Sequence, residues 1–229
     1  IRTTVINTNH HFKLNLDIFT DILKNETPPL SKIETFSVKQ IDLKTFTKFE
    51  ITSSQSPLKN TTISADVSIC ETCLSELTNP QNRRYKYPFI NCTDCGPRYS
   101  ISRTIPYDRI NTSMASFPMC NACEAEYRDP NNRRYHAQAI CCSECGPQVS
   151  CLEPNGKSIT TQANAIKATI EALKQGKIVA VKGIGGFHLM CDANNTIAVQ
   201  KLRHKKNRPL KPFTVMFKDR DQLKKSASF

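Results

Sequence analysis

Tryptophan is missing from this 229-residue chain. Missing too is any apolar run approaching the roughly 20 residues that a membrane-spanning helix needs, so no transmembrane segment and no membrane partner is expected. The opening IRTTVINTNHHFKLNL has no uninterrupted apolar stretch of the signal-peptide kind. The chain starts without methionine and stops at KKSASF, with no closing element, so a piece of a longer protein is expected. Hydrophobic residues make up 38% of the sequence and mean hydropathy is −0.44, which describes a soluble protein with a thin core; with nothing pointing to secretion, a cytoplasmic location is expected. The length suits one or two ordinary domains or three small ones.

Negative charge is also in short supply. Against 20 Asp and Glu stand 32 Lys and Arg, for a net charge of +12. Such a surplus attracts phosphates, whether in nucleic acid, nucleotides or anionic metabolites. The basic clusters NRRYK, NRRYH and KLRHKKNRPLK are separated in sequence, and each also reads as a solvated face.

Cysteine, by contrast, is abundant, and its spacing is periodic. Cys70-x2-Cys73 is followed after eighteen residues by Cys92-x2-Cys95, and after twenty-four more the unit repeats as Cys120-x2-Cys123 and Cys142-x2-Cys145. Residues 70–100 and 120–150 match at 14 of 31 positions without a gap, including Glu76/Glu126, the NRRY blocks and the CGP turns. Two CxxC knuckles about 15 to 20 residues apart are the spacing of a four-thiolate zinc site. Each knuckle aims two sulfurs at one point, and two knuckles supply the corners of a tetrahedron. Disulfides would need an oxidising compartment, to which nothing here points. Two structural zinc ions are therefore expected, because four thiolates close the coordination sphere and leave no position for catalysis. Sequential and crossed pairing of the knuckles share one spacing list; sequential pairing is favoured, since each repeat then folds around its own metal. Cys141, Cys151 and Cys191 fall outside the pattern, and His136, whose counterpart is Lys86, is not expected to be a ligand.

On either side the periodicity changes. Phe12, Leu16, Phe19 and Leu23 have helical spacing, KIETFSVKQIDL and KFEITSS alternate as strands, and SSQSPLKNTT reads as a linker. After the knuckles, TTQANAIKATIEALKQGK reads as a helix ended by Gly176, IVAVKG as a short buried strand and IGGFHLMCDA as a loop and strand. NNTIAVQKLRHKKN reads as a helix that turns basic, and KPFTVMF as a further strand. Alternating helices and strands imply an α/β sheet domain.

In this order, the paired knuckles with their CGPRYS and CGPQVS turns, then VAVKGIGGFHLMCDA and LRHKKNRPLKPFTVM, resemble the HypF carbamoyltransferases of [NiFe] hydrogenase maturation. The resemblance implies an α+β multidomain chain. Residues 1–55 would be the later part of an acylphosphatase-like, ferredoxin-like α/β sandwich. Residues 62–152 would be the duplicated four-Cys zinc-finger module, and 158–229 the first part of a YrdC-like α/β domain. The family's phosphate loop would lie upstream of Ile1 and its Kae1-like domain beyond Phe229, so this piece alone is expected to be inactive.

The resemblance further implies a reaction in which carbamoyl phosphate is hydrolysed and carbamate is activated with ATP and Mg2+ as carbamoyl adenylate. The carbamoyl group then passes to the C-terminal cysteine of HypE and becomes a cyanide ligand. KKNRPLKP resembles the K-x-R-x-x-K-P motif of YrdC proteins, which makes Lys206, Arg208 and Lys211 candidates for contact with the ATP phosphates, with Lys182 a further candidate. Cations there would neutralise charge on the transferring phosphates. The competing expectations are a zinc-ribbon module that binds nucleic acid through the NRRY blocks and Tyr85, Tyr87, Tyr99 and Tyr135, and a YrdC-like tRNA-modifying enzyme. The N-terminal α+β segment argues against both, and nucleic acid is not expected as the partner.

Overall fold

The computed structural model describes residues 10–27, 33, 35–38 and 62–226. It divides into two units, Ile1–Gly146 and Pro147–Phe229.

In the first unit the helical spacing of Phe12, Leu16, Phe19 and Leu23 produces α1 (His10–Asn25), with Lys24 placed favourably against the helix dipole in the last turn. The Lys24 ammonium lies 4.8 Å from the centre of the Phe36 ring. Of the two strands expected between 32 and 54, only residues 33 and 35–38 are described, and they form no ladder; KFEITSS lies outside the described residues.

Each leading knuckle starts a helix. Cys70 caps α2 (Glu71–Thr78), its sulfur accepting from the Cys73 backbone N–H at 3.5 Å, and Cys120 stands at the same position before α3 (Asn121–Arg128). The duplication extends to backbone conformation. Lys86 and His136, fifty residues apart, both have positive φ, at 55° and 52°. Their N–H groups close equivalent loops onto Leu77 O and Tyr127 O. Between the repeats Arg109 acts as a staple: its guanidinium donates to Gln138 O, Ile140 O and Phe117 O at 2.7–2.9 Å. The apolar core is thin. Around one knuckle pair it consists of Tyr87, Ile90 and Met114, and around the other of Ala137 and Ile140, with cysteines filling the rest.

In the second unit, β1 (Ser150–Leu152) pairs antiparallel with β2 (Ser158–Thr161). The helix α4 (Gln162–Lys174) packs against both and touches β3. It ends where Gly176, at φ +71°, lets the Gly176 and Lys177 N–H groups bond back to Leu173 O and Ala172 O. Then β3 (Val179–Gly183) and β4 (Gly186–Met190) form an antiparallel ribbon. The helix α5 (Thr196–Lys205) follows, capped by the Asn195 side chain, and then α6 (Arg220–Ser226).

Two expectations fail here. IVAVKG is a strand but not a buried one: Ala180, Val181 and Lys182 are exposed, because among the described residues β3 belongs to a two-stranded ribbon with no layer over both faces. KPFTVMF forms no strand, for no described neighbour offers it a ladder of backbone partners.

Candidate metal centre

The eight knuckle cysteines converge as two groups, Cys70, Cys73, Cys92 and Cys95, and Cys120, Cys123, Cys142 and Cys145, with all sulfurs of a group within 4.8 Å of one another. The pairing is sequential. In the first group Cys92 lies 3.8 Å from both Cys70 and Cys95. In the second the Cys120–Cys142, Cys142–Cys145 and Cys145–Cys123 separations are 3.7, 3.7 and 3.6 Å. A regular tetrahedron with zinc–sulfur arms of about 2.3 Å has edges of about 3.8 Å, so both groups have the dimensions of a tetrathiolate zinc site. No disulfide forms among these cysteines.

Helix geometry assists. The first two sulfurs of each group sit in the first turn of α2 or α3, where unpaired N–H groups and the helix dipole favour thiolate. The trailing knuckle is held by its own loop, with the Asp94 N–H donating to Cys92 Sγ at 3.3 Å. The hydrogen bond from Cys73, and after it the Asp94 N–H contact, lower the Cys92 thiol below its ordinary value, while the same pairing pushes Cys73 up.

The glycines of the CGP turns are required by close approach. A Cβ on Gly146 would lie 2.2 Å from Tyr87 Oη and 2.6 Å from Cys141 Cβ, and one on Gly96 would lie 2.5 Å from Asn91 Cβ. Gly146→Ala is therefore expected to destabilise the protein by about 1–3 kcal/mol, as overpacked cores are, with the unfolding midpoint as the measure. Cys141 stands outside the sulfur groups, against Tyr87 and Phe89 O. Burial pushes its thiol up. Cys141→Ser is expected to leave both metals in place, read by metal content after gel filtration. His136 packs on the rings of Tyr127 and Tyr135 and reaches neither group.

The NRRY blocks correct the reading of them as solvated faces or nucleic-acid contacts. Arg84 and Arg134 are only 1% and 4% exposed. Arg83 Nη2 donates to Cys120, Cys123 and Cys142 at 3.2–3.4 Å, while Nη1 pairs with Glu126 at 3.0 Å. Arg84 also pairs with Glu126 and donates Nε to Cys141 O. In mirror fashion Arg133 Nη2 donates to Cys70 and Cys73 at 3.3 and 3.1 Å, its Nη1 pairs with Glu76, and Arg134 holds Glu76 and Asn91 O. Burial works to lower Arg83 and Arg133, but the hydrogen bonds to Cys123 and Cys73 and the surrounding negative charges reverse this and hold both firmly protonated.

Each repeat thus sends its arginines into the sulfur group of the other, so a repeat does not wrap its own metal unaided. Sequence reasoning missed this role. The available signal was that Glu76/Glu126 and NRRY persist together in both copies, as a self-contained acid–base set would.

The candidate phosphate contacts are only partly gathered. The helix α5 ends with Lys206 as its C-cap and Asn207 at φ +47°, and Arg208 N–H bonds back to Arg203 O. The chain therefore reverses between 206 and 208 rather than running extended. A cleft of about 310 Å3 opens there, lined by Gln200, Arg203, His204, Asn207, Arg208 and Pro209. Lys206 and Lys211 are exposed and do not line it. Lys182 stands on β3 with its ammonium 5.4 Å from the Phe187 ring centre, outside the cleft. Arg203 organises the loop, donating to Arg208 O, Pro209 O and Lys211 O, and the Arg203 and Arg208 guanidiniums lie over the Phe213 ring. Arg208 Nε is buried and has no protein acceptor.

Comparison with known proteins matches the HypF finger family to residues 69–102 and 119–152, and the Sua5/YciO/YrdC family, described as telomere recombination, to residues 171–228. The carbamoyltransferase HypF of Synechocystis sp. is 53% identical over 205 residues, 90% of this chain and 27% of that protein. The probable carbamoyltransferase HypF of Methanocaldococcus jannaschii is 50% identical over 87% of this chain and 26% of its own length. The crystal structure of T. kodakarensis HypF superimposes with a TM-score of 0.83 at 40% identity, covering 98% of this chain and 28% of that one. A full-length HypF in a phosphate- and nucleotide-bound form gives 0.80 at 44% identity, covering 93% of this chain and 28% of that one. The chain spans about a quarter of the length of the curated relatives it matches.

Proposed function

The chain belongs to the HypF family over the span it covers, and from that premise we propose that it is a working segment of a hydrogenase-maturation carbamoyltransferase. The parent reaction would take carbamoyl phosphate and ATP with Mg2+, pass through carbamoyl adenylate and carbamoylate the C-terminal cysteine of HypE for cyanide-ligand synthesis. The observation that carries the reading is relatedness over nine-tenths of the chain to a curated carbamoyltransferase. Within it, the eight cysteines would hold two structural zinc ions. Zinc in a closed tetrathiolate supplies folding energy and offers no open position to substrate. A reducing cytoplasm keeps such thiols available for metal, and no described helix is long and apolar enough to cross a membrane.

The turn after α5 would serve adenylation. Arg208, which lines the cleft and whose buried Nε has no protein acceptor, would take a phosphate oxygen through its guanidinium, and Lys206 and Lys211 would approach once the polyphosphate is present. Lys182 would contribute from the β3–β4 ribbon. These cations would stabilise the charge that moves onto pyrophosphate as it leaves.

The test is Arg208→Ala in a full-length family member containing this segment. Carbamate-dependent exchange of pyrophosphate into ATP should fall to background while both zinc ions remain. Normal exchange in the Lys206, Arg208 and Lys211 triple alanine variant would return the cluster to an ordinary solvated helix end. Residues 1–229 alone, spanning about a quarter of the relatives' length, should not carbamoylate a HypE tail; transfer by the purified chain would refute this division of labour.

A further inference from the structure

We propose that Arg83, Arg84, Arg133 and Arg134 couple the two metal sites, each tetrathiolate receiving its counter-charge and N–H···S hydrogen bonds from the opposite repeat. Four thiolates around a zinc dication keep two net negative charges, and with Cys73, Cys95 and Cys123 each 0% exposed and Cys70, Cys120 and Cys145 half-buried, solvent reaches only part of each site to offset them. Two guanidiniums answer that charge at each site, and in both cases they come from fifty residues away in the duplication. The contacts are closely parallel, with Arg83 on Cys120, Cys123 and Cys142 and Arg133 on Cys70 and Cys73. Arg83 and Arg133 span sulfurs and a carboxylate at once, with Nη1 on Glu126 or Glu76 and Nη2 on the thiolates. Arg84 and Arg134 each bind the backbone carbonyl just before the other repeat's trailing knuckle, Cys141 O at 2.9 Å and Asn91 O at 3.0 Å.

This arrangement needs arginine. A lysine ammonium is a single point of charge, whereas the planar fork reaches carboxylate and several sulfurs together. The glutamates fix the orientation: Glu126 and Glu76 each take two guanidiniums of the opposite repeat. A single repeat, folded alone, would present its thiolates with no counter-charge. Groups that orient and neutralise metal ligands commonly change metal affinity by about 10–100-fold when removed. The exchange therefore makes retention of one metal depend on the integrity of the other repeat.

The proposal rests on both sites being occupied, which is decided separately by metal analysis of the unaltered chain. Less than two equivalents of zinc would overturn occupancy and the coupling with it. Given two equivalents, zinc release to a chromophoric chelator is followed in the full 229-residue chain, with alkylation and mass spectrometry reporting which cysteines open first.

Arg133→Ala should release zinc about tenfold faster or more, first from Cys70, Cys73, Cys92 and Cys95, with the cysteines of its own repeat opening later. Arg83→Ala should open Cys120, Cys123, Cys142 and Cys145 instead. Cys123→Ser, which removes a ligand from one site, should speed release from the other. Arg133→Lys should fall between, and gives the same reading if Arg133→Ala does not fold. Cobalt-loaded Arg133→Ala should show a sulfur-to-cobalt charge-transfer band at lower energy, because hydrogen bonds to thiolate stabilise the sulfur electrons. Release first from the mutated repeat's own site, equal release from both, or unchanged rate and band position would overturn the coupling.

Discussion

Stripping both metals with a strong chelator should unfold residues 62–146 altogether. The apolar side chains buried there, cysteines aside, are few: Ile90, Met114 and Ile140 with two alanines and Tyr87, while the largest fully buried side chain is that of Arg84. A core of this kind does not offset the conformational entropy of ordering the segment. Structural zinc contributes about 10–16 kcal/mol of apparent binding free energy at neutral pH, against net domain stabilities of about 5–15 kcal/mol. Removing it also leaves eight thiols and four arginines crowded without the charge that organises them. Amide hydrogen exchange reads the result: protection in α2 and α3 should vanish with the metal and return when zinc is added back. Native protection in the chelated protein would show that the packing stands without metal. Because the arginines cross between repeats, Cys92→Ser should also loosen residues 120–146, which independent repeats would not do.

Glu126→Ala should cost about 3–5 kcal/mol, the penalty for removing one partner from a buried ion pair. Glu126 holds two guanidiniums, and although its own side chain is 20% exposed, that of Arg84 is only 2% exposed and has little solvent to replace the carboxylate. Glu76→Ala should match it, since Arg133 and Arg134 stand to Glu76 as Arg83 and Arg84 stand to Glu126. The pH dependence has a definite sign. Burial raises Glu126, but the Arg84 hydrogen bond, its charge and those of Arg134 and Arg83 prevail and hold the carboxyl below 4.5. A carboxyl with a lowered folded value contributes stability above its unfolded value and loses it as pH falls through the folded one. Wild type should therefore exceed Glu126→Gln in unfolding free energy above about pH 4.5 and approach it below. Equal stabilities near neutral pH would place Glu126 outside the ion-pair network.

The zinc module was legible because its information is local and periodic. An eighteen-residue gap between knuckles, repeated at an offset of fifty, leaves few ways to bring four sulfurs together. The CGP glycines belong with that local information, though their reason, contact with Asn91 and Cys141, appears only in three dimensions. The helices α4 and α5 were equally readable, since Gly176 and Asn195 mark their ends by backbone chemistry confined to a few residues. The strands were less so. Alternation in KPFTVMF identifies residues suited to a sheet, but a strand exists only where a neighbour supplies backbone partners, and none of the described elements does.

The residues of this chain by themselves determined the two four-cysteine groups, the duplication and the relation to HypF proteins, because each follows from residue type and spacing along one line. Only the tertiary structure decided which charges meet. NRRY reads as surface in isolation, and a guanidinium has the same sequence pattern whether water or a thiolate receives it. Its partner is chosen by how the repeats fold against each other, and that packing placed Arg84 and Arg134 inside, on the other repeat's sulfurs. Long-range electrostatic pairing depends on distance in space, and no spacing along the chain encodes it.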